Sequence, residues 1–230
     1  MINTLRHNEV FNANNYMDKH IVVVGLGAIG SKVLEHLVCA GLTNITACDF
    51  DKVEDHNLAN QLFDRSHIGM HKTTACWHWV EAKCGIDTAN KITFHTAKLD
   101  HNSGELLKDA DVIISCVDTF DARGMLMGLA KEVWAGLFIE AGMATGHATM
   151  FMVDPSNPSS VREWMTTLGD DDDPSYEVSA CGTGLSVGVT ASLISGIMSW
   201  SLMNYLKTGY TEKKLRLDTA PFMISKVDQR

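Results

Sequence analysis

The chain has 230 residues, 45% of them hydrophobic and 20% charged, with a formal net charge of −9. That length can bury one substantial core but not two full catalytic domains, and the composition excludes an intrinsically disordered chain. The acidic balance argues against nucleic acid or an anionic membrane as the main partner, since both require basic patches, yet it leaves room for a phosphate ligand held by backbone amides and one lysine.

In chain order, residues 1–19 are polar and asparagine-rich, which predicts an N-terminal arm and not a signal peptide. His20 to Val24 is an apolar run ending at glycine, as a buried parallel strand does. Gly25-Leu26-Gly27-Ala28-Ile29-Gly30 follows, and Ser31 to Ala40 has helical spacing with Val33, Leu34, Leu37 and Val38 on one side. Asn44 to Asp49 returns to strand character, completing a βαβ unit. Beyond it, the pattern predicts a helix over His71–Lys83, an extended run over Ile92–Ala97, a strand over Asp111–Val117, a helix over Asp121–Trp134 and a short strand over Leu137–Glu140. Ala148–Val153 comes too soon for a helix to intervene, so an antiparallel hairpin is expected there.

Pro155 to Cys181 contains three prolines and the acidic run Asp170–Asp173, and predicts a long exposed loop with one helical turn around Arg162–Leu168. Gly182 to Tyr205 is apolar but interrupted by serines and glycines, which suits a buried helix better than a membrane span. Lys214–Thr219 and Phe222–Val227 read as a closing pair of edge strands. The fold expected is α/β: a Rossmann-like three-layer arrangement with a mostly parallel sheet extended by antiparallel strands. One domain is expected across residues 1–230, with 154–181 as a crossover-type loop. The six cysteines, Cys39, Cys48, Cys76, Cys84, Cys116 and Cys181, form no CxxC pair, and a reducing, cytoplasmic setting is expected.

The glycine loop carries the first chemistry. Between a strand and a helix, a GxGxxG lets the backbone turn tightly and approach phosphates, which then sit at the helix N-terminus. Asp49, 19 residues after Gly30, is placed to accept from ribose hydroxyls. Two readings of the nucleotide follow. An NAD-dependent oxidoreductase needs that one acid and has no evident use for Asp51, the amides Asn57 and Gln61, and Lys72 just beyond it. A triphosphate site does, because amides and lysine contact phosphates while carboxylates help to hold magnesium. Asp118, at the C-terminal end of the Asp111–Val117 strand, is the candidate magnesium carboxylate; its plain structural alternative is the N-cap of the following helix.

Taken in order, GLGAIGS, DFDKVEDHNLANQ, IGMHK, SCVDTFDAR and CGTGLSVGVTASL resemble the ThiF/MoeB/HesA family of ubiquitin-activating-like adenylyltransferases. The resemblance runs from about Leu5 to Gly209. It implies ATP- and magnesium-dependent adenylation of the C-terminal carboxylate of a small ubiquitin-like or sulfur-carrier protein or peptide, carried out by a homodimer, without nucleic acid or membrane as partner. On that basis Gly25, Gly27 and Gly30 cradle the nucleotide, Asp49 and Asp51 line its site, and Asn57, Gln61 and Lys72 face the phosphates. Asp118 binds magnesium, and Cys181, at the start of a glycine-rich helix opening, takes part in acyl or sulfur transfer; its bland alternative is a small packed side chain.

Three departures from the family pattern stand out. Asn60 occupies the arginine position of Asn-Leu-x-Arg-Gln, and Glu9 stands where an arm arginine is expected, with Arg6 and Arg65 as the nearby cations. The paired CxxC zinc motifs of many members are missing, so no structural zinc is expected. The first two departures keep a second reading open, that of a nucleotide-binding relative that recruits a partner without turnover. His67 and His71 have a metal-pair spacing with no third ligand evident, and the Asp170–Asp173 run reads as a solvated loop tip.

Overall fold

The computed structural model describes residues 2–144, 146–169 and 187–227. Its elements in chain order are β1 (Ile21–Val24), α1 (Gly30–Cys39), β2 (Ile45–Cys48), α2 (Lys72–Cys84), α3 (Ile86–Ala89), β3 (Thr93–His95), β4 (Val112–Ser115) and α4 (Phe120–Glu132). There follow β5 (Leu137–Met143), β6 (His147–Val153), α5 (Pro158–Met165), α6 (Gly188–Thr208), β7 (Lys214–Thr219) and β8 (Phe222–Lys226).

The eight strands form one sheet in the order β3-β2-β1-β4-β5-β6-β7-β8. From β3 to β5 all neighbours are parallel, and from β5 to β8 all are antiparallel. β1 lies inside the sheet because every one of its residues is apolar and can be covered on either face. Side chains alternate along it, so Ile21 and Val23 enter one core with α1, α2 and α6, while Val22 and Val24 enter the other with α4 and α5. The result is the three-layer α/β, Rossmann-like arrangement, parallel on one side and meandering on the other.

α6 shows how an apolar helix accommodates its serines. The buried Ser195 hydroxyl donates to the carbonyls of Ala191 at 2.6 Å and of Ile29 at 3.0 Å, and Ser199 donates to Ser195 O at 2.8 Å. The hydroxyls are satisfied by backbone, one of them across to the start of α1. No helix among the described residues is long and apolar enough to cross a membrane.

In the stretch after β6 the structure departs from expectation. The predicted turn over Arg162–Leu168 is a two-turn helix, α5, that begins earlier, at Pro158. Asn157 explains the difference: its side chain accepts from the amides of Ser159 and Ser160, and Pro158 follows at a position where a missing N–H costs nothing. Asn157→Ala should lower stability by about 1 kcal/mol in urea titration, with the unfolding slope unchanged. Asp170–Asp173 and the end of the expected loop lie outside the described residues.

The arm is partly tied down. Phe11 and Ala13 are buried in the larger core, and Phe11 stacks on Tyr16 with ring centroids 5.3 Å apart. At the opposite end of the sheet β8 is an edge strand on which Phe222, Met223 and Ile224 are exposed.

Candidate functional site

β1, β2 and β4 are parallel and in register, Val24 lying beside Cys48 on one flank and Ser115 on the other. Whatever leaves their C-terminal ends is therefore gathered on one edge. There the order changes direction, because β1 continues to β2 on one side and has β4 on the other, which opens the crevice used for ligands in sheets of this kind. The Gly25 amide donates to Cys48 O at 2.9 Å and the Cys116 amide to Val24 O at 2.8 Å, stitching the three loops together.

The glycines have different jobs. Gly25 has φ +88°, and a β-carbon on it would lie 2.7 Å from the Cys116 carbonyl oxygen. A β-carbon on Gly30 would come within 1.8 Å of the Gly25 carbonyl oxygen, so helix and turn touch through bare backbone. Gly27 is unlike both: among the described residues, a β-carbon there would meet nothing within 4 Å. Protein packing explains the first and third glycines and leaves the second for something that approaches from outside. Behind it, α1 has no side-chain cap and no acid in its first turn. The Ser31 and Lys32 amides turn back onto the carbonyls of Gly27 and Ile29 at 3.1 Å each, so anion binding rests on the amides of the turn just ahead of them.

Asp49 is buried and anchors this loop. One carboxylate oxygen accepts from the Leu26 amide at 2.6 Å, the other from the Asp51 amide at 2.7 Å. Each oxygen keeps a further lone pair. Asp51 in turn meets Lys72, Nζ to Oδ2 at 2.9 Å, with the lysine side chain 8% exposed and the aspartate 48%. Backbone bonds brace the pair: Lys72 N donates to Asp51 O, and Val53 N to Met70 O. Twenty-one residues of sequence separate Asp51 and Lys72, and this clip brings them together.

Asn57 is buried in a short 3-10 helix, where its Oδ1 accepts from the Glu54 amide at 2.9 Å. That leaves its amide hydrogens for other partners. Gln61 Oε1 is buried without a partner among the described residues. The next residue, Leu62, donates to Ser31 Oγ at 3.2 Å, which places Gln61 beside the first turn of α1.

Asp118 projects from the loop after β4, exposed and without a hydrogen bond among the described residues. The helix-capping alternative goes to its neighbour: Thr119, not Asp118, is the N-cap of α4 and accepts from the Ala122 amide at 3.3 Å. Among the described residues no group of three His, Cys, Asp or Glu side chains is disposed to hold a metal. Magnesium does not need such a cage; it is commonly held by one or two carboxylates and the oxygens of a phosphate substrate, for which a single free carboxylate at the rim is a suitable donor. His67 is occupied locally, its Nδ1 accepting from the Asp64 amide at 3.2 Å in a capping box. The half-buried thiol at this rim, Cys116, is pushed up to about 12, chiefly by loss of solvent around it, so it is no nucleophile at neutral pH. Cys181 and the glycines after it lie outside the described residues. Arg6 and Arg65 are both exposed, and Asn60 packs beside the first residue of α6, Gly188.

One group escaped the sequence reading. Glu140, in the middle of β5, is 2% exposed and lies 3.1 Å from Arg123 Nη1 of α4, while its other oxygen accepts from Trp164 Nε1 of α5 at 3.2 Å. Burial raises the Glu140 carboxyl above its ordinary range, and the guanidinium and the indole oppose that. Only the DAR at the end of SCVDTFDAR hinted at Arg123; nothing in sequence hinted at its partner.

A family model for the ThiF family matches residues 12–228. Ubiquitin-like modifier-activating enzyme 5 of Gallus gallus is 22% identical over 200 residues, covering 81% of this chain and 50% of the relative. Molybdopterin-synthase adenylyltransferase of Haemophilus influenzae is 27% identical over 145 residues, covering 60% of this chain and 57% of the relative. The chain thus spans about half the length of the curated relatives it matches. Among solved structures, E. coli MccB with ATP superposes with a TM-score of 0.72 at 13% identity, covering 94% of this chain and 65% of that one, a likeness of fold.

Proposed function

The chain belongs to the ThiF family, and from that premise we propose that it adenylates the C-terminal carboxylate of a small ubiquitin-like or sulfur-carrier protein or peptide at the expense of ATP. The observation that carries the reading is the space that the described residues leave over Gly27, ahead of the start of α1, with Lys72 and Asp118 on the same edge of the sheet. The names of the Gallus gallus and Haemophilus influenzae relatives, an activating enzyme and an adenylyltransferase, support it.

In this reading a carboxylate oxygen of the carrier attacks the α-phosphorus, and the bond from that phosphorus to the pyrophosphate oxygen breaks. No base is required, because the attacking group is already an anion. The work of the protein is to position the reactants and to offset charge. The amides of Gly27 to Gly30 receive the phosphates, the Leu26 amide being taken by Asp49. Asp49 holds that loop in shape through Leu26 and keeps lone pairs for the ribose. Lys72, pre-aimed by Asp51, offers ammonium hydrogens, and Asn57 and Gln61 supply neutral donors. Magnesium, held by Asp118 and phosphate oxygens, would supply neutralisation of the charge that develops on the leaving pyrophosphate. We place the protein in a reducing cytoplasm as a homodimer; the buried thiols Cys48, Cys76 and Cys84, packed as small apolar side chains, suit the first of these.

Asn60 favours a second reading, binding without turnover, because asparagine replaces neither the charge nor the donor fork of the arginine usual there. Thermal melts with magnesium and one nucleotide at a time separate the cases. ATP at a hundredfold excess over its dissociation constant should stabilise the native state by about 2.7 kcal/mol, while NAD should leave the melting temperature where it is. A shift with NAD and none with ATP would overturn the adenylation reading. A shift with ATP but no pyrophosphate exchange with any carrier would select the binding module.

A further inference from the structure

We infer that the buried Glu140–Arg123 pair is a positioning device for the Asp118 carboxylate, a role that rests on the reading of Asp118 as the magnesium ligand. Arg123 is itself buried, 9% exposed, and uses two sides of its guanidinium at once. Nη1 lies 3.1 Å from Glu140 Oε1, and Nε donates to the carbonyl oxygen of Val117 at 3.2 Å. Val117 is the residue immediately before Asp118, so the contact fixes the peptide from which the Asp118 backbone starts. The guanidinium also sits over the Phe120 ring, 5.1 Å from its centroid, holding the chain on the far side of Asp118. Asp118 itself is exposed and has no bond of its own among the described residues. Its place is therefore set by the grip on Val117 just before it and on Phe120 two residues after it.

The surroundings are shaped for the guanidinium. Gly142 gives it room: a β-carbon there would lie 3.0 Å from Nη1. Glu140 is oriented from the other side by Trp164 Nε1, and the Trp164 ring packs edge-on against Phe138 at 5.5 Å between centroids. The chain of contact thus runs from α5 through β5 to the β4–α4 loop. A carboxylate buried in the middle of a β-strand is costly unless paired, and an apolar pair of similar volume would fill the same space without that cost. What an apolar pair could not do is hold the Val117 carbonyl through Nε while another edge of the same rigid plane faces Glu140. Lysine could not do so either, since an ammonium is a single point of attachment.

The test uses the full chain and needs no carrier. Arg123→Lys and Glu140→Gln should each raise the magnesium concentration for half-maximal ATP binding about tenfold, as loss of an orienting partner does at metal sites. Binding of AMP without magnesium should stay within about twofold of the parent, because the glycine loop is not part of this grip. Asp118→Asn should raise the magnesium midpoint further, and adding Glu140→Gln to it should change nothing more, the signature of two residues acting through one step. Both single variants will melt lower, since they break a buried pair, and that drop decides nothing by itself. A lower melting temperature with the parent magnesium midpoint would make the pair purely structural and overturn the inference. A parent-like midpoint in Asp118→Asn would remove its premise, while the ATP and NAD melts judge the adenylation reading separately.

Discussion

Gly27→Ala is expected to leave the stability of the free protein within about 0.5 kcal/mol of the parent, the range of surface changes, while weakening ATP at least about tenfold. The two halves of that result come from one measurement of space. A β-carbon at Gly27 meets no atom of the described residues within 4 Å, so the described fold has no reason to object. The same carbon stands where the backbone must approach a phosphate closely, so the ligand does. Gly30→Ala is the opposite case. Its β-carbon would fall 1.8 Å from the Gly25 carbonyl oxygen and 3.0 Å from the Cys116 β-carbon, so turn and helix must separate. Overpacking of this kind costs about 1–3 kcal/mol, and both stability and binding should fall. Calorimetric titration with ATP and thermal melts of the two variants give all four values. If Gly27→Ala binds ATP like the parent, the phosphates do not lie against this loop.

The second large effect is expected from Asp118→Asn. Pyrophosphate release with a carrier should drop by about 100- to 1000-fold, the range seen when one preorganised charge contact is lost from a transition state. The melting temperature should not move, because Asp118 is exposed and bonds to nothing among the described residues, and capping of α4 is left to Thr119. Single-turnover assays at saturating ATP separate loss of chemistry from loss of binding. Turnover equal to the parent's would assign the metal, if there is one, to other residues.

Much of this site was legible from sequence because its information is local. The run from His20 to Gly30 contains strand, turn and helix start in one stretch, and the structure builds β1, the turn and α1 from it. The Asp49 position followed from the length of a βαβ unit. The hairpin of β5 and β6 followed from the shortage of residues between them. What stayed hidden was tertiary. Asp49 is occupied by the Leu26 and Asp51 amides because two loops fold over it, and spacing says nothing of that. Glu140 lay in a run read as the end of a strand, and its partners are 17 and 24 residues away on two different helices. α5 was read late because the prolines around it signal a loop, and the decisive residue was a single capping asparagine.

The strand order has a consequence for how such a chain comes into being. β1 is synthesised well before its partner β4, with which it pairs Ile21 to Val112, and β6 must wait for β7, pairing His147 with Asp218. The entropy of closing loops this long grows only slowly with length, so the delay on a ribosome is set by elongation more than by closure. The glycine turn leaves the exit tunnel well before it takes its shape, which waits until Cys48 and Cys116 have arrived on either side to grip it. A nascent chain that has passed residue 30 but not residue 116 carries the motif without the pocket, and nucleotide cannot help it to fold until both flanking strands are out.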